Sequence, residues 1–381
     1  MRHFLILASV LFCLPLAAWA YDSKARALLV MDYDSGTILL EKNADQPLPP
    51  ASMSKLMTIN MVFEALKEGR LGLTTKFRVS TKAWQMGGSK MFLKEGDSVS
   101  VEDLIRGVVV QSGNDACIVL AEGLAGTEAE FANRMTKRAR QLGMTNSVFA
   151  NSTGWPHPDH RMSARDLVFL AARLVREFPE YYPYFAEPSF TWEGIDQDNR
   201  NPLLTLGIGA DGLKTGHTEE AGYGLVGSAA QDDRRVVFML TGLSSVKERA
   251  IESERLASWA FREFQREVIV SKGTVVTQAD VWLGQNNVVD LVASEDLEIL
   301  VPYAVRDEIA AKVVYQGPIE APIEAGAKIA ELLVKVPGLS DRTFDLVAGQ
   351  AVESGGFISR VAASAHILTR KVLDAARSNA Q

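Results

Sequence analysis

Strand-like apolar runs at residues 26–33 and 37–41 flank Asp34-Ser35-Gly36, a turn signal, and predict an antiparallel hairpin near the start of the chain. A different pattern follows Pro49-Pro50. Leu56, Met57, Ile59, Met61, Val62 and Phe63 put apolar residues on most sides of a helix ending near Gly69, so that helix is expected to be buried. The segment up to Gly96 is loop-rich. Ser100-Val101-Glu102-Asp103 is a helix-start signal, and the helix runs to Val110, breaks at Gln111-Ser112-Gly113-Asn114-Asp115 and resumes over 116–125. Further helices are predicted over 127–142 and 163–177, with the turn-rich residues 151–159 between them. Strands return near 223–230 and 236–241, around a turn at 231–235. Strands, then helices, then strands describe a sheet in which the two ends of the segment meet around a helical insertion, an α/β architecture.

A helix is predicted over 247–267. Beyond it, short Val- and Ile-rich runs are cut by Gly273, Gly284, Gly317-Pro318, Pro322, Gly326 and Pro337-Gly338, an all-β pattern. The expected organisation is therefore an α/β domain over 21–268 and a β-rich domain over 269–352. After Gly355-Gly356, residues 355–381 predict an amphipathic helix: at 100° per residue Ile358, Val361, Ala365, Leu368, Val372 and Ala376 share one face. Arg370 and Arg377 fall on the opposite face, with Arg360 and Lys371 at its flanks. Such a helix either lies on a membrane surface or packs on protein.

Residues 1–20 read as a secretory signal, with Arg2, an apolar run from Phe4 to Leu16 and the small-residue site Ala18-Trp19-Ala20. The mature chain then keeps one cysteine, Cys117, so no internal disulfide forms and the core must supply stability. Cys117 itself reads as a buried small hydrophobe. A net charge of −7 without Lys/Arg-rich runs argues against nucleic acid as a partner, and five scattered histidines argue against a zinc site. The reading calls for no cofactor.

Candidate chemistry begins at Ser52, three residues before Lys55. On a helix the two share a face, so a lysine kept neutral can take the serine's proton and leave a nucleophile. Ser52 could equally cap the helix, but position 55 lacks the Glu or Gln of a capping box. Ser244-Ser245-Val246-Lys247 is a second match to the same spacing, so context must choose between them. Downstream of Ser52 stand Ser112-Gly113-Asn114 and Lys214-Thr215-Gly216, in that order. Alone, the first reads as a turn and Lys214 as a solvated charge; the ordered set is far less common than its parts.

The set resembles the three motifs of class A β-lactamases and penicillin-binding proteins, with Gly113 where the second motif usually has Asp. The resemblance is most specific to the secreted D-alanyl-D-alanine carboxypeptidases. It extends to Met91-Phe92-Leu93-Lys94-Glu95-Gly96, Asn114-Asp115-Ala116, Ser163-Ala164-Arg165-Asp166-Leu167 and Lys214-Thr215-Gly216-His217-Thr218. It implies a transpeptidase/β-lactamase-like first domain, a small β-domain and a C-terminal amphipathic helix on the outer face of the cytoplasmic membrane, facing the periplasm. It implies peptidoglycan stem peptides ending in D-Ala-D-Ala as substrate and β-lactams as inhibitors.

By resemblance, Ser52 is the nucleophile, Lys55 its general base and Ser112 the relay to the leaving amine. Asn114 holds the substrate's peptide, and Lys214, Thr215 and Gly216 receive the terminal carboxylate, Lys214 also helping to keep Lys55 neutral. The backbone N–H groups of Ser52 and His217 form the oxyanion hole, the His217 side chain being structural or substrate-shaping. Arg249 is a candidate second carboxylate clamp that no motif fixes. A class A β-lactamase would need a glutamate in the loop after the second motif, and residues 131–176 contain none. A catalytically idle cell-wall scaffold would carry a broken motif, and none is broken.

Overall fold

Successive residues of a strand face opposite sides of a sheet, and β1 (Ala27–Asp32) is buried at every position. Ala27, Leu29 and Met31 join one core, and Leu28 and Val30 another. A strand covered on both faces reads as a continuous apolar run, which is what the sequence shows. The structure, a computed structural model, describes residues 21–356. Together with β2 (Ile38–Lys42), β3 (Ala210–Thr218), β4 (Gly222–Gln231) and β5 (Arg234–Leu243), β1 builds an antiparallel sheet of order β2-β1-β5-β4-β3. The expected meeting of sequence ends is the β1/β5 ladder, from Ala27 opposite Thr241 to Asp32 opposite Val236.

Six helices lie between β2 and β3 in sequence: α1 (Lys55–Lys67), α2 (Thr81–Gln85), α3 (Val101–Val109), α4 (Asn114–Ala125), α5 (Glu128–Gln141) and α6 (Ala164–Glu177). Ile59 and Phe63 of α1, Leu104 of α3, Phe131 of α5 and Leu167 of α6 share the core that covers Leu29 and Val237. On the other face α7 (Val246–Arg262) brings Leu256, Ala257 and Ala260 against Leu28, Val30 and Phe238. The predicted helix starts are real caps: the hydroxyls of Ser100, Thr127 and Ser163 accept from the backbone N–H three residues on.

The chain departs from expectation after α7. Residues 247–267 do not form one helix; α7 stops at Arg262 and β6 (Phe264–Val270) pairs with a later strand. Gln265, Arg266 and Glu267 are good helix formers, yet Val268, Ile269 and Val270 favour a ladder, and Phe264 packs edge-on to Trp259 at 5.1 Å. The second domain's first strand therefore begins ahead of the expected boundary near 268. The domain continues with β7 (Val275–Trp282), β8 (Val288–Ala293), β9 (Leu297–Pro302), β10 (Ala310–Val314), β11 (Lys328–Lys335) and β12 (Arg342–Ala348). β6 pairs with β9, and β10-β11-β12-β8-β7, with the two-residue strand Ile319–Glu320 beside β7, form one sheet around a core that includes Val289, Leu332 and Leu346.

The predicted signal over 1–20 and the helix over 357–377 lie outside the described residues. No helix among the described residues is long and apolar enough to cross a membrane.

Candidate active site

Ser52 sits in a single 3-10 turn, Ala51–Ser54, that leads into α1, and Lys55 is the helix's first residue. No side chain caps either segment, so the capping alternative for Ser52 does not hold. Lys55 Nζ instead lies 2.8 Å from Ser52 Oγ and donates to the Thr153 carbonyl at 2.8 Å. The side chain is fully buried. Burial pulls the ammonium down to about 8, the Arg200 guanidinium works in the same direction, and Asp115 opposes. Burial pushes the Cys117 thiol up to about 12, so at neutral pH it stays an uncharged, inert thiol. A lysine with a pKa of about 8 at hydrogen-bond distance from a serine hydroxyl is an arrangement able to serve as base and nucleophile.

The competing match is structural. Ser244 N and Oγ both donate to Glu248 Oε2, at 2.7 and 2.6 Å, while Glu248 N donates to Ser245 Oγ at 3.1 Å. Ser244, Ser245 and Glu248 together cap α7, and Lys247 is exposed.

Ser112 is buried and holds a left-handed backbone with φ of 61°, a strained conformation for a residue with a side chain. Gly113 caps α4, and a Cβ there would lie 2.9 Å from Asp115 Oδ1 and 3.1 Å from Met91 N. A side chain at this position, such as the Asp of related motifs, would require Asp115 and the Met91 backbone to shift. Asn114, expected in a break, is already the first residue of α4. Its Nδ2 donates to the Gly87 carbonyl at 2.8 Å, and its backbone N–H to Ser89 at 2.8 Å. The buried Asp115 accepts from the backbone of Met91, Phe92 and Leu93 at 2.9, 2.9 and 3.2 Å, which ties the 91–96 motif to the Ser112-Gly113-Asn114 segment.

β3 is an edge strand packed against the nucleophile turn. Lys214 and Thr215 are buried, with Lys214 Nζ donating to the Thr215 carbonyl at 3.3 Å. Burial holds the Lys214 ammonium well below its ordinary pKa, and repulsion from Lys55 and Arg200 adds to this. Lys55 and Lys214 repel one another, and the Arg200 guanidinium bears on both. An edge strand leaves alternate N–H groups without a ladder partner, as an oxyanion donor at His217 requires. The His217 ring is exposed and stacks on Tyr223 with centroids 3.8 Å apart. Behind Tyr223 lies the buried Arg249, its guanidinium 6.0 Å from the ring centroid and its Nε without a partner among the described residues.

Arg200 escaped the sequence reading. It donates to Ser89 Oγ at 2.5 Å from a short loop braced by Asn199 and Asn201, whose side chains bond the backbone at Phe185, Glu187 and Gly212. Asn on both sides of an arginine was the available signal, a turn rather than a motif.

The loop 151–155 completes the site. Asn151 Oδ1 accepts from the N–H groups of Thr153, Gly154 and Trp155 at 3.1, 2.8 and 3.1 Å. Gly154 has φ of +78°, and a Cβ there would sit 1.9 Å from the Ala51 carbonyl oxygen, so only glycine lets this loop touch the nucleophile turn.

An α/β sheet that presents a half-buried serine bonded to a buried lysine, beside a Lys-Thr-Gly edge strand, defines an active-serine acyl-transfer enzyme. Residues 16–244 match the family model described as D-alanyl-D-alanine carboxypeptidase, peptidase S11, and residues 264–354 match the C-terminal domain of penicillin-binding protein 5. The chain belongs to the D-alanyl-D-alanine carboxypeptidase family. It is 40% identical to D-alanyl-D-alanine carboxypeptidase DacC of Escherichia coli (strain K12) over 346 residues, 88% of this chain and 86% of the relative. The crystal structure of penicillin binding protein 5 from Haemophilus influenzae is similar with a TM-score of 0.75 at 36% identity, covering 87% of this chain and 98% of that one. Penicillin-binding protein D2 from Listeria monocytogenes, solved in an ampicillin-bound form, is similar with a TM-score of 0.58 at 30% identity, over 62% of this chain and 97% of its own.

Proposed function

We propose that the enzyme carries out its D-alanyl-D-alanine carboxypeptidase reaction on Ser52, trimming the terminal D-alanine from peptidoglycan stem peptides. Lys55, neutral in part at working pH, takes the Ser52 proton as Oγ attacks the carbonyl between the two D-alanines. The oxyanion that forms is held by the backbone N–H groups of Ser52 and His217, a contribution of about 3–4 kcal/mol per donor. Ser112 passes the proton to the departing amine, and the C–N bond breaks to leave an acyl-enzyme. Water then hydrolyses the ester, with Lys55 and Ser112 serving again.

Asn114 holds the acyl-side amide. Lys214, Thr215 and Gly216 take the terminal carboxylate, and Arg249 joins them, because Arg200 and Arg249 both repel the Lys214 ammonium and so lie close enough to share an anion with it. β-Lactams acylate the same serine and leave slowly. The observation that carries this reading is the buried Lys55 amine set 2.8 Å from Ser52 Oγ.

The test is digestion of purified pentapeptide muropeptides, recording released D-alanine and product masses. Loss of one alanine from the pentapeptides supports the reading; intact pentapeptides after long incubation sink it.

The reading extends to location. Residues 1–20 direct the chain to the periplasm and are cleaved on export, and residues 355–381 hold it on the outer face of the cytoplasmic membrane. That placement rests on the charge and apolar pattern of the segment.

A further inference from the structure

Glu128 precedes the glutamate-free stretch 131–176, at the first turn of α5, and is only 8% exposed. Both its carboxylate oxygens are occupied. Oε1 accepts from Ser152 N at 3.0 Å and Ser152 Oγ at 2.7 Å, while Oε2 lies 2.7 Å from the Lys82 ammonium on α2. Burial opposes ionisation, but these hydrogen bonds outweigh it and hold the carboxyl below its ordinary range. A carboxylate so engaged is an anchor rather than a free base.

What it anchors is the acceptor of the catalytic amine. Ser152 is followed by Thr153, whose carbonyl takes Lys55 Nζ–H at 2.8 Å. From the other side, Thr58 Oγ1, one turn along α1 from Lys55, donates to the Ser152 carbonyl at 2.6 Å. The peptide between Ser152 and Thr153 is thus held by α5 through Glu128 and by α1 through Thr58. We propose that Glu128 is a positioning residue for the general base: by clamping Ser152 it fixes the Thr153 carbonyl, which in turn aims Lys55 Nζ at Ser52 Oγ. This rests on Lys55 being the base of Ser52.

The chemistry separates anchoring from mere stability. Without the clamp the 151–155 loop loosens, water reaches Nζ, and the burial that depresses Lys55 is relieved. The other charges facing that amine stay in place: Asp115 on α4, Arg200 on its loop and Lys214 on β3. Lys82 loses its partner, and His160, buried behind the turn and bonded to Ser54 Oγ at 2.7 Å, stays neutral with its pKa pulled down to about 4 by burial.

The experiment uses the full chain and measures the second-order rate of acylation by a fluorescent penicillin from pH 6 to 10. Glu128→Ala is expected to slow acylation at pH 7 by about 100-fold, the scale of a catalytic group misplaced by about 1 Å, and to move the acid limb of the profile to higher pH. Glu128→Gln, whose amide oxygen can still accept both Ser152 donors, should stay within about threefold of wild type. A Glu128→Ala profile that keeps the wild-type limb, lowered evenly or not at all, overturns the proposal. Should Glu128→Ala fail to fold by circular dichroism, Ser152→Ala, which removes one of the two donors, must shift the limb in the same direction; an unmoved limb again overturns it. A wild-type profile with no acid limb would instead defeat the Lys55 reading on which the proposal stands.

Discussion

The rate at which Ser52 is acylated should follow the titration of Lys55. Free lysine titrates near 10.5, and burial brings Lys55 to about 8. At pH 7 the neutral amine is then about one-tenth of the population, against about one part in three thousand for an unperturbed lysine. The pocket therefore supplies roughly 300-fold more base at neutral pH.

Below about pH 7 the acylation rate constant should rise roughly tenfold per pH unit, and it should level off above about pH 9. Arg200→Gln removes a cation that disfavours the charged amine, so its limb should move toward higher pH while the plateau stays in place. Single-turnover labelling with a fluorescent penicillin, quenched at intervals across the pH range, reads both curves. A flat profile from pH 6 to 9, or a limb centred near 10.5, would refute the claim that a desolvated Lys55 is the base.

Lys55 also sets a stability prediction. The folded protein releases the Lys55 proton near 8 and the unfolded chain near 10.5, so stability rises with pH between these values and bears the full penalty below them. That penalty is about 3 kcal/mol, and Lys55→Met removes it while leaving the Thr153 carbonyl unpaired at about 1–3 kcal/mol. Calorimetry at pH 7 should find the variant no less stable than wild type, though it no longer acylates. Gly154→Ala should do the opposite, forcing a Cβ against the Ala51 carbonyl and costing several kcal/mol, with denaturant melts and labelling both impaired. Deleting residues 355–381 should move the protein from the membrane pellet to the soluble fraction with unchanged activity on a soluble peptide; a full-length protein already wholly soluble would contradict the membrane placement.

The three motifs could be read in the sequence because each is short and local, and because the sheet buries both faces, so β1, β4 and β5 announce themselves as apolar runs. What sequence reading missed depends on contacts between distant segments. Arg200 comes from a loop whose only mark is its flanking asparagines, yet its guanidinium bears on both Lys55 and Lys214. Glu128 reads as an ordinary first-turn acid favoured by the helix dipole, and only the fold brings Ser152 to it. The end of α7 was hidden because Gln265, Arg266 and Glu267 continue a helical composition, while the ladder with Leu297–Pro302 decides the outcome. The hairpin of Ser189–Trp192 and Ile195–Asp198 gave no expectation, being short and largely solvent-facing.

The central claim is that Ser52 and no other serine forms the acyl-enzyme. Intact-mass spectrometry after incubation with a penicillin tests it most directly, on wild type, Ser52→Ala and Ser244→Ala side by side. Wild type and Ser244→Ala should each gain the mass of one penicillin, and Ser52→Ala should gain none. A full adduct on Ser52→Ala would contradict the account.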